Sequence, residues 1–209
     1  MNSESKEALE KLKAGNERFV KGVFAADNSQ KRRQELLKGQ HPFATVITCS
    51  DSRVVPEYVF DQGIGNLFIV RTAGEVLDDV VLASLEYGAE HLSTPILLVL
   101  GHSLCGAVNT TISNAEVQGH LPILINKIKP ALQICQQCKP TEAGKELEND
   151  VIRENVLEIV ESLPRTSDLI RHQVEKGKVA IIGAIYSLEE GKVEFLTDVK
   201  SYLSENPKK

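Results

Sequence analysis

Three side chains draw attention for the chemistry their types allow together. Cys49 follows a short run rich in β-branched residues, and His102 and Cys105 stand three apart in Gly101-His102-Ser103-Leu104-Cys105-Gly106, just after a second such run. Read singly, each is a core residue, a metal ligand or, for the thiols, a nucleophile. Read together, two thiolates and one imidazole form a donor set that a tetrahedral zinc ion accepts, and the His-x-x-Cys spacing lets one turn supply two ligands. Three protein ligands leave the fourth position open, which marks a catalytic zinc whose water is acidified enough to furnish hydroxide near neutral pH. Asp51 lies two residues beyond Cys49. Its carboxylate can accept a hydrogen bond from that hydroxide, or swing in as a fourth ligand and close the site. Arg53 is its natural partner, because a guanidinium grips a carboxylate through two parallel hydrogen bonds and so keeps it off the metal.

The other sulfur-bearing motif is more conspicuous and points to less. Cys135-Gln-Gln-Cys138 has redox or half-zinc spacing, yet it follows a helical segment and has no second pair at finger spacing, so it reads as structural or surface thiols. Four cysteines in 209 residues are too sparse for a disulfide scaffold. Gly63-Ile64-Gly65 lacks the third glycine of a dinucleotide fingerprint and precedes a strand, so it reads as a turn. His41, His91, His120 and His172 are scattered. His91 and His120 are proton-shuttle candidates only in principle.

These residues need a frame that brings them to one place. The segments 43–48, 66–70, 95–100 and 179–186 read as short buried strands, and 192–196 returns after the Glu190-Gly191 turn as an antiparallel neighbour. Between them, Asp78-Asp79 caps a helix carrying Val81, Leu85, Ala89 and Leu92, and Ile152, Val156, Ile159, Val160 and Leu163 keep the same 3.6-residue period. Leu121, Ile125, Ile128, Leu132 and Cys135 define another helix that Pro130 is expected to kink or end, and Thr166-Ser167 opens a further short one. Residues 6–20 form an opening helix with Leu9, Leu12, Phe19 and Val20 near one face, followed by a polar loop over 28–39. The alternation predicts a single α/β domain: a mainly parallel central sheet flanked by helices, an antiparallel extension near the C-terminus and an N-terminal helical arm. Ligands in such sheets bind beyond the carboxyl ends of the strands, where Cys49, His102 and Cys105 fall.

Composition narrows the function classes. A net charge of −5 without a Lys/Arg stripe offers no footprint for nucleic acid, and no apolar run approaches the roughly 18 residues of a membrane span. The opening residues lack a secretory pattern, so the cytoplasm is the expected compartment. A small-molecule site is the remaining expectation.

Cys-Ser-Asp-Ser-Arg-Val at 49–54, Phe-Ile-Val-Arg-Thr-Ala-Gly at 68–74 and Gly-His-x-x-Cys-Gly at 101–106 closely resemble the β-class carbonic anhydrases. The resemblance extends to Gly15-Asn16-x-Arg18-Phe19 and Gly183-Ala184-x-Tyr186, and so covers nearly the whole chain. It implies a zinc enzyme with one Zn2+ per chain that interconverts carbon dioxide and bicarbonate, with Cys49, His102 and Cys105 as ligands and Asp51 and Arg53 as a catalytic dyad. It also implies a homodimer or larger homo-oligomer, with residues 1–40 as an arm on the neighbouring subunit. Backbone amides near Gly106, at the start of the following helix, are expected to orient the substrate oxygens. The pattern departs at Glu75, where many members carry Asn, and at 62–63, where Gln62 stands one place before the expected position of a substrate-orienting Gln. The Trp of a bicarbonate-inhibition pocket is missing. Hydrolysis of carbon disulfide or carbonyl sulfide on the same core is the nearest rival, and a zinc scaffold without turnover is the second.

Overall fold

A computed structural model describes residues 1–198 of the chain. Five strands form one sheet in the order β2-β1-β3-β4-β5, with β1 at Ala44–Cys49, β2 at Leu67–Thr72, β3 at Ile96–His102, β4 at Ala180–Tyr186 and β5 at Val193–Asp198. The first four run parallel and β5 pairs antiparallel with β4, as the sequence pattern predicts. Strand alternation divides the apolar residues between two faces. Val46, Ile96, Leu98, Leu100, Ile182 and Ala184 enter one core cluster, while Ile47, Leu97, Val99 and Ile181 enter another. Burial on both faces explains why these strands read as continuous apolar runs.

Eight α-helices accompany the sheet among the described residues: α1 Ser3–Val20, α2 Gln30–Glu35, α3 Pro56–Val59, α4 Asp79–Glu86, α5 Gly106–Ile112, α6 Leu121–Cys138, α7 Gly144–Thr166 and α8 Asp168–Glu175. Asp78 caps α4 by accepting from the Val81 amide at 2.8 Å, and Ser167 caps α8 through the Ile170 amide at 3.1 Å. Val156, Ile159, Val160 and Leu163 of α7 pack with Leu85 of α4 and Ile170 of α8 on one face of the sheet. None of these helices is long and apolar enough to cross a membrane.

One expectation is corrected, and two further elements take a definite form. The polar loop over 28–39 contains α2 and a turn of 3₁₀ helix at Leu36–Lys38. Ser29 caps α2 through the Arg32 amide, but the helix buries no residue, so no apolar period announced it. Helix α6 runs through Pro130 to Cys138. The missing amide removes one hydrogen bond, while Ile128, Ala131, Leu132 and Cys135 remain buried against Val151 and Ile152 of α7, and that packing holds the helix. Finally, the apolar face of α1 is covered within this chain. Ala8, Leu9 and Leu12 are buried against this chain's own sheet with Val46, Leu98 and Phe60.

The Gly15-Asn16-x-Arg18-Phe19 motif explains that docking. A Cβ at Gly15 would stand 1.7 Å from the Phe60 carbonyl oxygen, so only glycine lets α1 approach so closely. Asn16 donates to the Val59 and Gly191 carbonyls at 3.1 and 2.9 Å and accepts from the Val193 amide at 2.9 Å. Arg18 pairs with the buried Asp61 at 2.5 Å. The motif staples α1 to the segment after α3 and to the turn before β5.

Candidate metal centre

Sheet topology decides where the chemistry sits. The chain leaves β1 toward β2 on one side and later returns as β3 on the other, so the carboxyl ends of β1 and β3 flank the switch point where open α/β sheets bind ligands. Cys49 is the last residue of β1, His102 the last of β3, and Cys105 occupies the cap position of α5. One ligand atom from each lies within 4.8 Å of the others, and all three side chains are buried. An ion bonded at about 2.0–2.3 Å fits among atoms so spaced. No second such group occurs among the described residues.

The histidine supplies the clearest test of fit. His102 Nδ1 lies 2.9 Å from the Ser103 carbonyl oxygen, so Nδ1–H donates a hydrogen bond there and the lone pair is left on Nε2. Nε2 is buried without a hydrogen-bond partner. An orphaned buried nitrogen costs free energy unless something else satisfies it, and beside two sulfurs a soft-to-borderline cation does so. The sulfurs are prepared as well. Gly74 donates its amide to Cys49 Sγ at 3.3 Å. The Cys49 thiol is pushed down, chiefly by the hydrogen bond from Cys105, with the His102 ring and the Gly74 amide adding to it against burial. Cys105, which gives that hydrogen bond and is buried, is pushed up.

Asp51 is held by Arg53. Arg53 Nε donates to Oδ1 at 2.9 Å and Nη2 to Oδ2 at 2.7 Å, and the Arg53 amide adds a third bond to Oδ1 at 2.9 Å. These bonds keep the carboxyl well below the usual carboxylate range. Arg53 Nη2 also reaches the Leu104 carbonyl oxygen at 3.2 Å, tying the loop after β1 to the loop after β3. Asp51 stands outside the three-ligand group in this arrangement.

Sequence reasoning missed Arg71 as a site residue. From the end of β2 its guanidinium donates to the carbonyl oxygens of Cys49 at 3.0 and 3.1 Å, Asp51 at 2.8 Å and Val54 at 2.7 Å. One side chain therefore fixes the whole Cys49–Asp51–Val54 turn. Its signal was available: a lone Arg closing the apolar run Phe68-Ile69-Val70, level with Thr48 of β1. Glu75 was noticed only as a departure from the family pattern. It is buried, its Oε1 accepts from Asn155 Nδ2 at 3.0 Å, and burial, with the nearby Cys49 sulfur, pushes its carboxyl up to about 7.

Other singled-out residues fall elsewhere. Cys135 is buried in the last turns of α6 and Cys138 is exposed; burial, helped by Glu154 and Asp150, pushes the Cys135 thiol up to about 11, as suits a structural thiol. Gln62 is tied to the Phe60 carbonyl at 2.8 Å and to Asn66 at 3.3 Å. His91 stacks on Tyr87 ahead of β3, whereas the metal group lies past its far end, about 20 Å of strand away. His120 immediately precedes α6. Gly106 opens α5, with free space where a Cβ would stand.

A four-plus-one sheet with a buried Cys2His group at its switch point, beside a bidentate Asp–Arg pair, is an α/β fold with a donor set that could hold a zinc-type metal ion. Comparison with known proteins agrees. The family model described as carbonic anhydrase matches residues 44–193. A carbonic anhydrase of Mycolicibacterium smegmatis is 37% identical over 199 residues, covering 92% of this chain and 94% of that protein. Carbonic anhydrase 2 of Mycobacterium tuberculosis is also 37% identical, over 88% of this chain and 89% of its own length. Among solved structures, the β-carbonic anhydrase CcaA superposes with a TM-score of 0.74 at 26% identity, over 91% of this chain and 92% of its own. The chain belongs to the β-class carbonic anhydrase family.

Proposed function

We propose that this chain catalyses the reversible hydration of carbon dioxide to bicarbonate and a proton, with Cys49 Sγ, Cys105 Sγ and His102 Nε2 holding one zinc ion. The observation that carries the reading is the buried, unpartnered Nε2 of His102 beside two sulfurs, with an ionised Asp51 two residues from Cys49. When bound, zinc supplies Lewis acidity that makes a water-derived nucleophile accessible near neutral pH.

The protein residues do the rest. Asp51, ionised, can only accept hydrogen bonds, so it holds the proton of the attacking hydroxyl and leaves an oxygen lone pair toward carbon dioxide. Arg53 fixes that carboxylate and draws it away from the metal position. Without this grip the Asp51 carboxylate would be free to turn toward the site that Cys49, His102 and Cys105 would offer a zinc ion. Arg71 holds the backbone that carries both Cys49 and Asp51, preserving their relative geometry. At the first turn of α5 the Gly106 amide orients the negative oxygens of bicarbonate, and the absent side chain leaves them room. The Asp51–Arg53 pair argues against a scaffold kept closed by Asp51.

The arm expected over residues 1–40 divides in two on this reading. Its first half is this chain's own core, while the exposed Val20, Val23, Phe24 and Leu37 are the surface offered to a neighbouring subunit in a homodimer or larger homo-oligomer. The direct test is a pair of variants. Asp51→Ala is expected to keep about one zinc per chain and lose most hydration activity, and Cys49→Ala to lose both. Full activity in Asp51→Ala rejects the dyad.

A further inference from the structure

Glu75 combines several costs in one residue. Its carboxyl is buried and Oε2 has no hydrogen-bond partner. Its backbone is left-handed, with φ +44, next to Gly74 at φ +70. Only Gly, Asn and Asp adopt that region readily, so the backbone here favours one of those three over glutamate. A residue that is unfavourable for its backbone and its burial alike, yet sits in a tightly ordered turn, calls for a role carried by its side chain.

Its surroundings indicate that role. The Gly74–Glu75 turn presents the Gly74 amide to Cys49 Sγ, so one backbone bend both donates to a ligand sulfur and directs the Glu75 side chain inward. Asn155 of α7 fixes both halves of the bend, donating to the Gly74 carbonyl at 3.2 Å and to Glu75 Oε1 at 3.0 Å. Oε1 lies 3.5 Å from where a Cβ on Gly101 would stand, against the residue that precedes His102. The same turn is tied to Cys49 through the Gly74 amide, and Gly101 leads directly into His102. A buried carboxylate needs a positive counterpart, and the positive charge this site is built to take is the metal ion.

We infer that Glu75 is a positioning residue of the metal centre: its buried carboxylate, pinned by Asn155, stands behind Cys49 and His102 and strengthens retention of the cation. The inference rests on reading Cys49, His102 and Cys105 as the ligands. It concerns metal affinity, and Glu75 touches neither substrate nor the reacting atoms.

The test compares the native protein with Glu75→Gln, which preserves shape and removes the charge. Zinc affinity is measured by competition with a chelator, alongside the rate of zinc loss and the visible spectrum of the cobalt(II) form. Glu75→Gln is expected to bind zinc about tenfold to hundredfold more weakly and to release it faster, while the metal-free variant melts no lower than the metal-free native chain. Asn155→Ala, which frees the carboxyl without removing it, is expected to weaken zinc binding in the same direction by a smaller factor, and it decides the matter should Glu75→Gln not fold. One zinc per chain in both native and Glu75→Gln, with affinities within twofold, overturns the inference and leaves the ligand assignment intact. A native protein that takes up no zinc overturns both.

Discussion

Asp61 is partnered by Arg18, Ala25 and Ala26 rather than by the metal-ligand group, and substituting it separates the framework from the chemistry. Its side chain is buried and accepts from Arg18 Nε at 2.5 Å, from the Ala25 amide at 3.0 Å to both oxygens, and from the Ala26 amide at 3.0 Å. Burial raises the Asp61 pKa, but Arg18 and the two amides outweigh it and hold the carboxyl below its ordinary value. In Asp61→Asn one oxygen becomes an NH2 group that faces N–H donors, and the remaining oxygen loses its charge. Hydrogen bonds to a charged acceptor contribute about 1.5–3 kcal/mol each, and breaking a buried pair from one side costs about 3–5 kcal/mol. Arg18 is partly exposed and regains some hydration, so about 2–4 kcal/mol is expected. For a chain of this size that lowers Tm by about 4–16 °C. The sign with pH follows from the lowered pKa: the unfolded chain takes up the proton first as pH falls, so Asp61 contributes fully above its unfolded pKa of about 3.9 and loses that contribution as pH drops through the lower folded value. Denaturant unfolding of both proteins from pH 7 downward is therefore expected to show a constant gap that closes below about pH 4. Zinc content is expected to be unchanged. A gap under about 0.5 kcal/mol at pH 7, or one that widens in acid, refutes the role given to the Arg18–Asp61 pair.

Further substitutions probe other parts of the structure. Gly15→Ala places a methyl group on the Phe60 carbonyl and is expected to destabilise by about 1–3 kcal/mol or more, read as a fall in Tm. Arg71→Met releases three carbonyls of the Cys49–Val54 turn and is expected to lower kcat for hydration at least about tenfold with most zinc retained; native kcat would show that the turn holds itself. Alkylation at pH 8 followed by mass spectrometry is expected to modify the exposed Cys138 well before Cys135, whose thiol is buried and pushed up to about 11. Rapid labelling of Cys135 contradicts its assignment as a structural thiol.

Much of this molecule was legible in its residues, for physical reasons that differ from element to element. Strands buried on both faces must be apolar throughout, so 43–48 and 95–100 declared themselves and carried Cys49 and His102 to the sheet edge where ligands bind. Helices α4 and α8 were fixed by Asp78 and Ser167, whose short side chains cap the first turn. Helix α2 was invisible because it buries nothing, and α6 outlasted Pro130 because tertiary packing outweighs one missing hydrogen bond. The metal group and the Asp51–Arg53 pair were readable from residue type and spacing. Arg71 was not singled out because its partners are backbone carbonyls, which leave no pattern in side-chain identity. Glu75 stood out only as a departure from the family pattern, since its significance lies in burial and in its contact with Asn155, about 80 residues away along the chain.

The central claim is that Cys49, His102 and Cys105 hold a zinc ion that serves carbon dioxide hydration. Metal analysis of the purified protein, combined with stopped-flow carbon dioxide hydration across pH, addresses it most directly. About one zinc per chain is expected, with a hydration rate that rises through neutral into alkaline pH. A protein that binds no zinc, or a fully loaded one that hydrates no carbon dioxide at any pH, contradicts it.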